Sequence, residues 1–86
     1  EKVDAVEEGQ ALGITLRPNP VTDYLVVDGT QEGDRLEVIS SVGKTLLEVT
    51  ARQEETRLDL RAMGEGLYLL RLSRHGGVNT LRFVKQ

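Results

Sequence analysis

The chain has 86 residues, 38% apolar and 29% charged, with a formal net charge of -3. A chain of this size buries only about 60% of its unfolded surface, so the composition predicts one soluble globular domain with a modest core rather than a disordered tail, and no apolar run approaches the roughly 20 residues needed for direct membrane insertion. The acidic balance and 3% aromatic content argue against nucleic acid as a partner, and the absence of cysteine removes disulfides, thiolate nucleophiles and cysteine metal sites.

In chain order, the opening EKVDAVEEGQ is acidic and lacks helical periodicity, so residues 1–11 are predicted to form a flexible acidic linker. Its carboxylates lack the loop spacing of a cation site. The start at Glu1, with neither a methionine nor a basic-then-apolar signal, predicts a piece of a longer protein.

From Leu12 the apolar period becomes two, with turn residues at the intervals of an antiparallel sandwich. Ile14 and Leu16 share one side of a first strand, which must end at Pro18-Asn19-Pro20 because neither proline can donate to a ladder. Such a corner predicts that the chain crosses from one sheet to the other there. A second strand runs from Tyr24 to Val27. RLEVIS then alternates, with Leu36 and Val38 on one face and Glu37 and Ile39 on the other, and the SVGK turn around Gly43 joins it in a hairpin to Thr45–Thr50.

Leu58 and Leu60 alternate with Arg57 and Asp59 in a further strand, and LRAMGEG predicts a single helical turn stopped by its glycines. GLYLLRLSR and VNTLRFVKQ flank His75-Gly76-Gly77 as a terminal hairpin. Tyr68, Leu70 and Leu72 point one way, with Leu81 and Phe83 facing them across a shared core. The count is about seven short strands, predicting an all-β, immunoglobulin-like antiparallel β-sandwich over residues 12–86. A bare edge at the terminal hairpin would also offer a second copy a strand to pair with, a route to a dimer.

The sequence predicts no enzyme and no cofactor. His75 is the one histidine and lies in a turn, with no nucleophile elbow or oxyanion nest, and zinc would need further ligands converging on it. Gly64-Glu65-Gly66 is glycine-rich but enters a strand rather than opening a helix, so it does not form a phosphate cradle.

PNPVTDYLVV, LEVISSVGKTL, GLYLLRLSRHGG and the ending LRFVKQ, in this order, resemble the C-terminal sorting domains of type IX secretion cargo. The resemblance implies a seven-stranded immunoglobulin-like domain that directs a larger cargo from the periplasm through the outer membrane of a Gram-negative bacterium to the cell surface or medium. It implies type IX secretion machinery as partner and, in most members, removal by a cell-surface sortase. Position by position, the family's proline motif falls on Pro18, Asn19 and Pro20, its central glycine motif on Gly43 and Lys44, and its Gly-x-Tyr motif on Gly66 and Tyr68. These are read as structural. The terminal signal falls on Phe83, Val84, Lys85 and Gln86, where an uncovered strand end and the basic Lys85 would be captured by a receptor. The competing readings are a non-catalytic accessory module that binds carbohydrate or a surface protein, and a structural spacer.

Overall fold

The computed structural model describes residues 13–86, so the acidic linker expected over residues 1–11 lies outside the described residues. Seven strands form: β1 (Thr15–Arg17), β2 (Tyr24–Asp28), β3 (Arg35–Ser40), β4 (Thr45–Thr50), β5 (Glu55–Asp59), β6 (Gly66–Arg74) and β7 (Gly77–Lys85). They divide into a three-stranded sheet of order β1-β2-β5 and a four-stranded sheet of order β4-β3-β6-β7, with antiparallel pairing throughout. The all-β immunoglobulin-like sandwich read from the period-two pattern is the fold observed.

Alternation decides which side chains fill the space between the sheets. From one sheet come Leu25, Val27 and Leu58, and from the other Leu36, Val38, Leu70, Leu72, Leu81 and Phe83, all in one buried cluster. Tyr68 and Phe83 stack with ring centroids 5.8 Å apart. These two sit opposite each other on neighbouring strands, as do Leu70 and Leu81, so they are side by side on one sheet rather than facing across the core as expected.

Ile39 lies on the outer face as its spacing requires, opposite Leu69 and Thr45, yet only 7% of its surface is exposed. It belongs to no part of the inter-sheet cluster.

Two further expectations are corrected. LRAMGEG forms no helix: the Met63 N–H bonds the Leu60 carbonyl at 3.0 Å in one tight turn, and Leu60 is already tied by its N–H to Asp23 O at 2.8 Å. Gly64 and Gly66 follow too soon for a second helical bond to form. The proline corner, for its part, does not carry the chain between sheets, because β1 and β2 are neighbours in the same sheet.

At one end of the sandwich the two inter-sheet loops are zipped together. Gly29 N–H and Thr30 N–H both donate to Glu54 O, Gly33 N–H to Ala51 O, and Ala51 N–H to Asp34 O. The buried Thr30 hydroxyl lies 2.9 Å from that of Thr56 and donates to Gln53 O. Arg74, at the end of β6, grips Asp34 with two bonds of 2.9 and 2.7 Å and Gly29 O with a third of 3.1 Å. Burial alone would raise the Asp34 carboxyl, but the Arg74 hydrogen bonds, the Gln31 N–H and the Arg74 charge outweigh it and hold Asp34 below the ordinary carboxylate range.

Gly29 adopts φ +96°, and a Cβ there would lie 2.0 Å from the Gly13 carbonyl oxygen. Gly29→Ala is therefore expected to cost more than the about 1–3 kcal/mol of a strained backbone alone, measured by urea unfolding; a loss under about 0.5 kcal/mol would show that the Gly13 segment simply moves aside.

Because the folded pKa of Asp34 is depressed, the unfolded chain binds the proton first, so this contribution is complete above the ordinary value of 3.8 and is lost as pH falls through the lower folded value. Asp34→Asn should cost about 1–3 kcal/mol at neutral pH, by leaving the half-buried Arg74 without its counter-charge, and should flatten the acid limb of the stability profile. An unchanged acid limb would assign the acid sensitivity to other carboxylates.

Candidate recognition surface at the C-terminal strand

The residues between β1 and β2 set the geometry of the tail. Pro18 and Pro20 have no N–H, and both of their peptide bonds are cis, Arg17–Pro18 and Asn19–Pro20. All three residues of the corner are exposed. The first donor after Asn19 is that of Val21, a fully buried side chain. Val21 leaves its own sheet and pairs in parallel with the end of β7, its N–H bonding Val84 O at 2.9 Å and its carbonyl accepting from Gln86 N–H at 2.8 Å. The proline corner therefore reaches the other sheet through one residue, then returns to the first at Tyr24.

This pairing revises the expectation of a bare strand end. β7 remains the edge of its sheet along most of its length, but its last residues are covered by Val21. Strand alternation then sorts the expected signal residues by face. Phe83 is in the core at 1% exposure, and Lys85, on the same side, is 8% exposed with Nζ donating to Gln86 O at 3.3 Å. Val84 is 43% exposed and points away from the core, and Gln86 is exposed. Lys85 is thus not the outward basic group that a terminal lysine suggests. A charged side chain turned inward on an edge strand hinders edge-to-edge pairing.

The remaining motif residues have local structural reasons. In the β3–β4 turn Gly43 takes φ +89° and its N–H bonds Ser40 O at 2.9 Å; Lys44 is exposed beside it, with its own N–H bonded to the Ser40 hydroxyl. At the start of β6, Gly66 takes φ +148°, open to glycine alone, and the Tyr68 hydroxyl donates to Gly64 O at 2.7 Å. That back-bond, from a tyrosine at a sheet-to-sheet corner to the backbone upstream, is the tyrosine corner of immunoglobulin-like domains. His75 and Gly76, with φ of 50° and 83°, form the two-residue turn between β6 and β7. His75 is exposed, and among the described residues no group of three or more His, Cys, Asp or Glu side chains converges as metal ligands would.

The outer faces of the two sheets differ in chemistry. On the three-stranded sheet most charges are matched: Arg17 bridges Asp28 and Glu55 and Arg61 clamps Asp59, while Arg57, which has no carboxylate partner among the described residues, and Arg61 cover the Tyr24 ring at 4.1 and 5.1 Å. The Arg61 hydrogen bonds hold the Asp59 carboxyl down at about 2. On the four-stranded sheet, Arg71 pairs with Glu37 and Arg35 with Glu48 near the middle, while the end nearest the tail is apolar.

Val21 is the residue that sequence reasoning missed. Its only signal is position, as the first apolar residue and the first backbone donor after a proline pair. The partner that makes it matter lies more than 60 residues away along the chain.

A family model described as a secretion system C-terminal sorting domain matches residues 15–86. Among solved structures, the chain is similar to PorZ, an essential bacterial surface component of the type IX secretion system of Porphyromonas gingivalis. The TM-score is 0.80 at 18% identity, over 91% of this chain and 12% of that one. The chain thus spans about an eighth of that protein, and the likeness is one of fold. No curated protein matches the chain.

Tyr68→Phe removes the back-bond to Gly64 and keeps the stacking on Phe83, so a loss of about 0.5–1.5 kcal/mol is expected in chemical denaturation, with the fold retained. A stability equal to wild type would mean that water satisfies Gly64 O as well as the phenol does.

Proposed function

Since the chain belongs to the family of secretion system C-terminal sorting domains, we propose that it directs a larger cargo protein across the outer membrane through the type IX secretion machinery. The observation that carries this reading is the family match over nearly all of the sandwich, with the terminal strand inside the matched span. The route this implies runs from the periplasm, through the outer membrane, to the cell surface or the medium.

Within the domain, Phe83, Val84, Lys85 and Gln86 act as the signal, in unequal parts. Phe83 and Lys85 keep the strand seated, whereas Val84 and Gln86 are the side chains a receptor reaches without unfolding anything. Pro18, Asn19 and Pro20 contribute by placing Val21 on the tail, and Gly43, Lys44, Gly66 and Tyr68 by shaping turns. Removal by a cell-surface sortase would fall in the acidic segment 1–11, since a protease needs an extended, accessible stretch and a cut inside any strand would open the core.

A sugar-binding accessory role has weaker support. Of the three aromatic residues, Tyr68 and Phe83 are stacked in the core and Tyr24 lies under two arginines, so none presents the open ring face that stacks on a saccharide.

The test is secretion of a periplasm-targeted fluorescent protein carrying this chain at its C-terminus, in a bacterium with type IX secretion. Export to the surface or medium is expected for the full chain. Removing Val84 to Gln86 should abolish export, with circular dichroism on the purified variant reporting whether the sandwich survives loss of the Val21 bonds. A folded full-length fusion retained in the periplasm would sink the sorting role.

A further inference from the structure

We propose that the machinery reads this domain through the outward face of the four-stranded sheet beside the tail, where Arg82 lies beside Leu67, Leu69 and Val84, with Ile39 beyond Leu69. The partner is a protein whose apolar surface carries a carboxylate placed to meet that arginine. The inference rests on the sorting role and specifies the surface that serves it.

The register brings these residues together from three strands. Leu67 lies directly opposite Val84, and Leu69 lies between Arg82 on one side and Ile39 on the other. Residues opposite one another in a ladder share a face. Inward-pointing Tyr68, Leu70, Leu81 and Phe83 fill the core, so their alternates must project outward. Leu67 and Val84 are 46% and 43% exposed, Leu69 is half-buried, and Ile39, next to Leu69 on β3, is buried. The apolar residues are therefore contiguous rather than scattered, which is the pattern of an interaction site.

Charge identifies the partner. Every other arginine of β-strand outer faces beside this patch is matched, Arg71 by Glu37 and Arg35 by Glu48, while no described carboxylate pairs with the exposed Arg82. An arginine set in an apolar surrounding is a favoured anchor, because its planar guanidinium gains most from a carboxylate where water is excluded. The outer face of the other sheet lacks the combination: its Arg17 and Arg61 are paired with carboxylates, its Arg57 lies over the Tyr24 ring, and that ring is covered. The same geometry accounts for why Lys85 cannot serve as the contact: it points into the domain.

The experiment uses the export fusion with substitutions on this face. Arg82→Lys should fall only a few-fold, keeping the charge but losing the planar fork, Arg82→Gln should fall by about tenfold, and Arg82→Glu should fall further, an order that tracks attraction to an anionic partner. Leu67→Ser and Val84→Thr should each lower export several-fold while the purified domains unfold within a few degrees of wild type, threonine preserving the β-branched shape. Arg57→Glu, on the opposite sheet, should leave export unchanged. Folded variants of Arg82, Leu67 and Val84 that are exported as well as wild type would overturn the proposal and leave the sorting role standing. Equal export of Arg82→Gln and Arg82→Glu would overturn the carboxylate partner. Binding of the purified wild-type domain to anionic phospholipid vesicles, lost in Arg82→Glu, would assign the face to lipid and overturn the protein partner. A wild-type fusion that is not exported would remove the sorting role and this surface with it.

Discussion

Two backbone hydrogen bonds between Val21 and the terminal strand determine how the C-terminal end of this domain is presented. Pro18 and Pro20 have no N–H, so the chain drops out of its own ladder, and the first donor after Pro20, that of Val21, goes to the neighbouring sheet. Once Val84 O and Gln86 N–H are engaged, the last residues of β7 keep strand geometry to the end, and period two does the rest. Phe83 and Lys85 turn in, and Val84 turns out.

The far end of the sandwich is held differently. There, polar groups are buried, and each would be costly without a partner. Asp34 accepts from Gln31 and from Arg74 twice, Thr30 is matched by Thr56 and Gln53, and no buried side-chain nitrogen or oxygen among the described residues lacks a partner. Because Arg74 closes the hairpin that leads into β7, this network fixes where the terminal strand begins, as Val21 fixes where it ends. A strand seated at both ends presents its outer face in one orientation, as a recognition surface requires.

The strands were legible from sequence because alternation is local: LRLSR or RLEVIS reads as half-buried without knowledge of any partner. The seven-strand count and the sandwich follow from that period together with turn residues such as His75-Gly76. What lay out of reach was long-range. Lys85 reads as an exposed tail lysine in any local window, and only the register with Gly66 and the cap by Val21 place it inside. The proline corner reads as a crossing point, whereas its chain visits the second sheet for a single residue. The helical turn expected at Leu60–Gly66 was lost to tertiary context, since Leu60 is pinned to Asp23 and two glycines follow within one turn. For the terminal segment expected to carry the signal, the motif did not reveal which side chains turn inward and which outward.

The capped tail also limits how a partner can engage it. Peptide recognition by strand addition draws on free N–H and C=O groups along an edge. At the end of β7 those groups are already bonded to Val21, so a receptor strand adding there would have to break two hydrogen bonds of about 0.5–1.5 kcal/mol each and expose a fully buried valine. Contacts made through side chains on the outer face carry no such penalty, since they leave the ladder intact. At the end of β7 this geometry therefore favours reading through the face over reading through the edge, and the proline corner is what closes that stretch of edge.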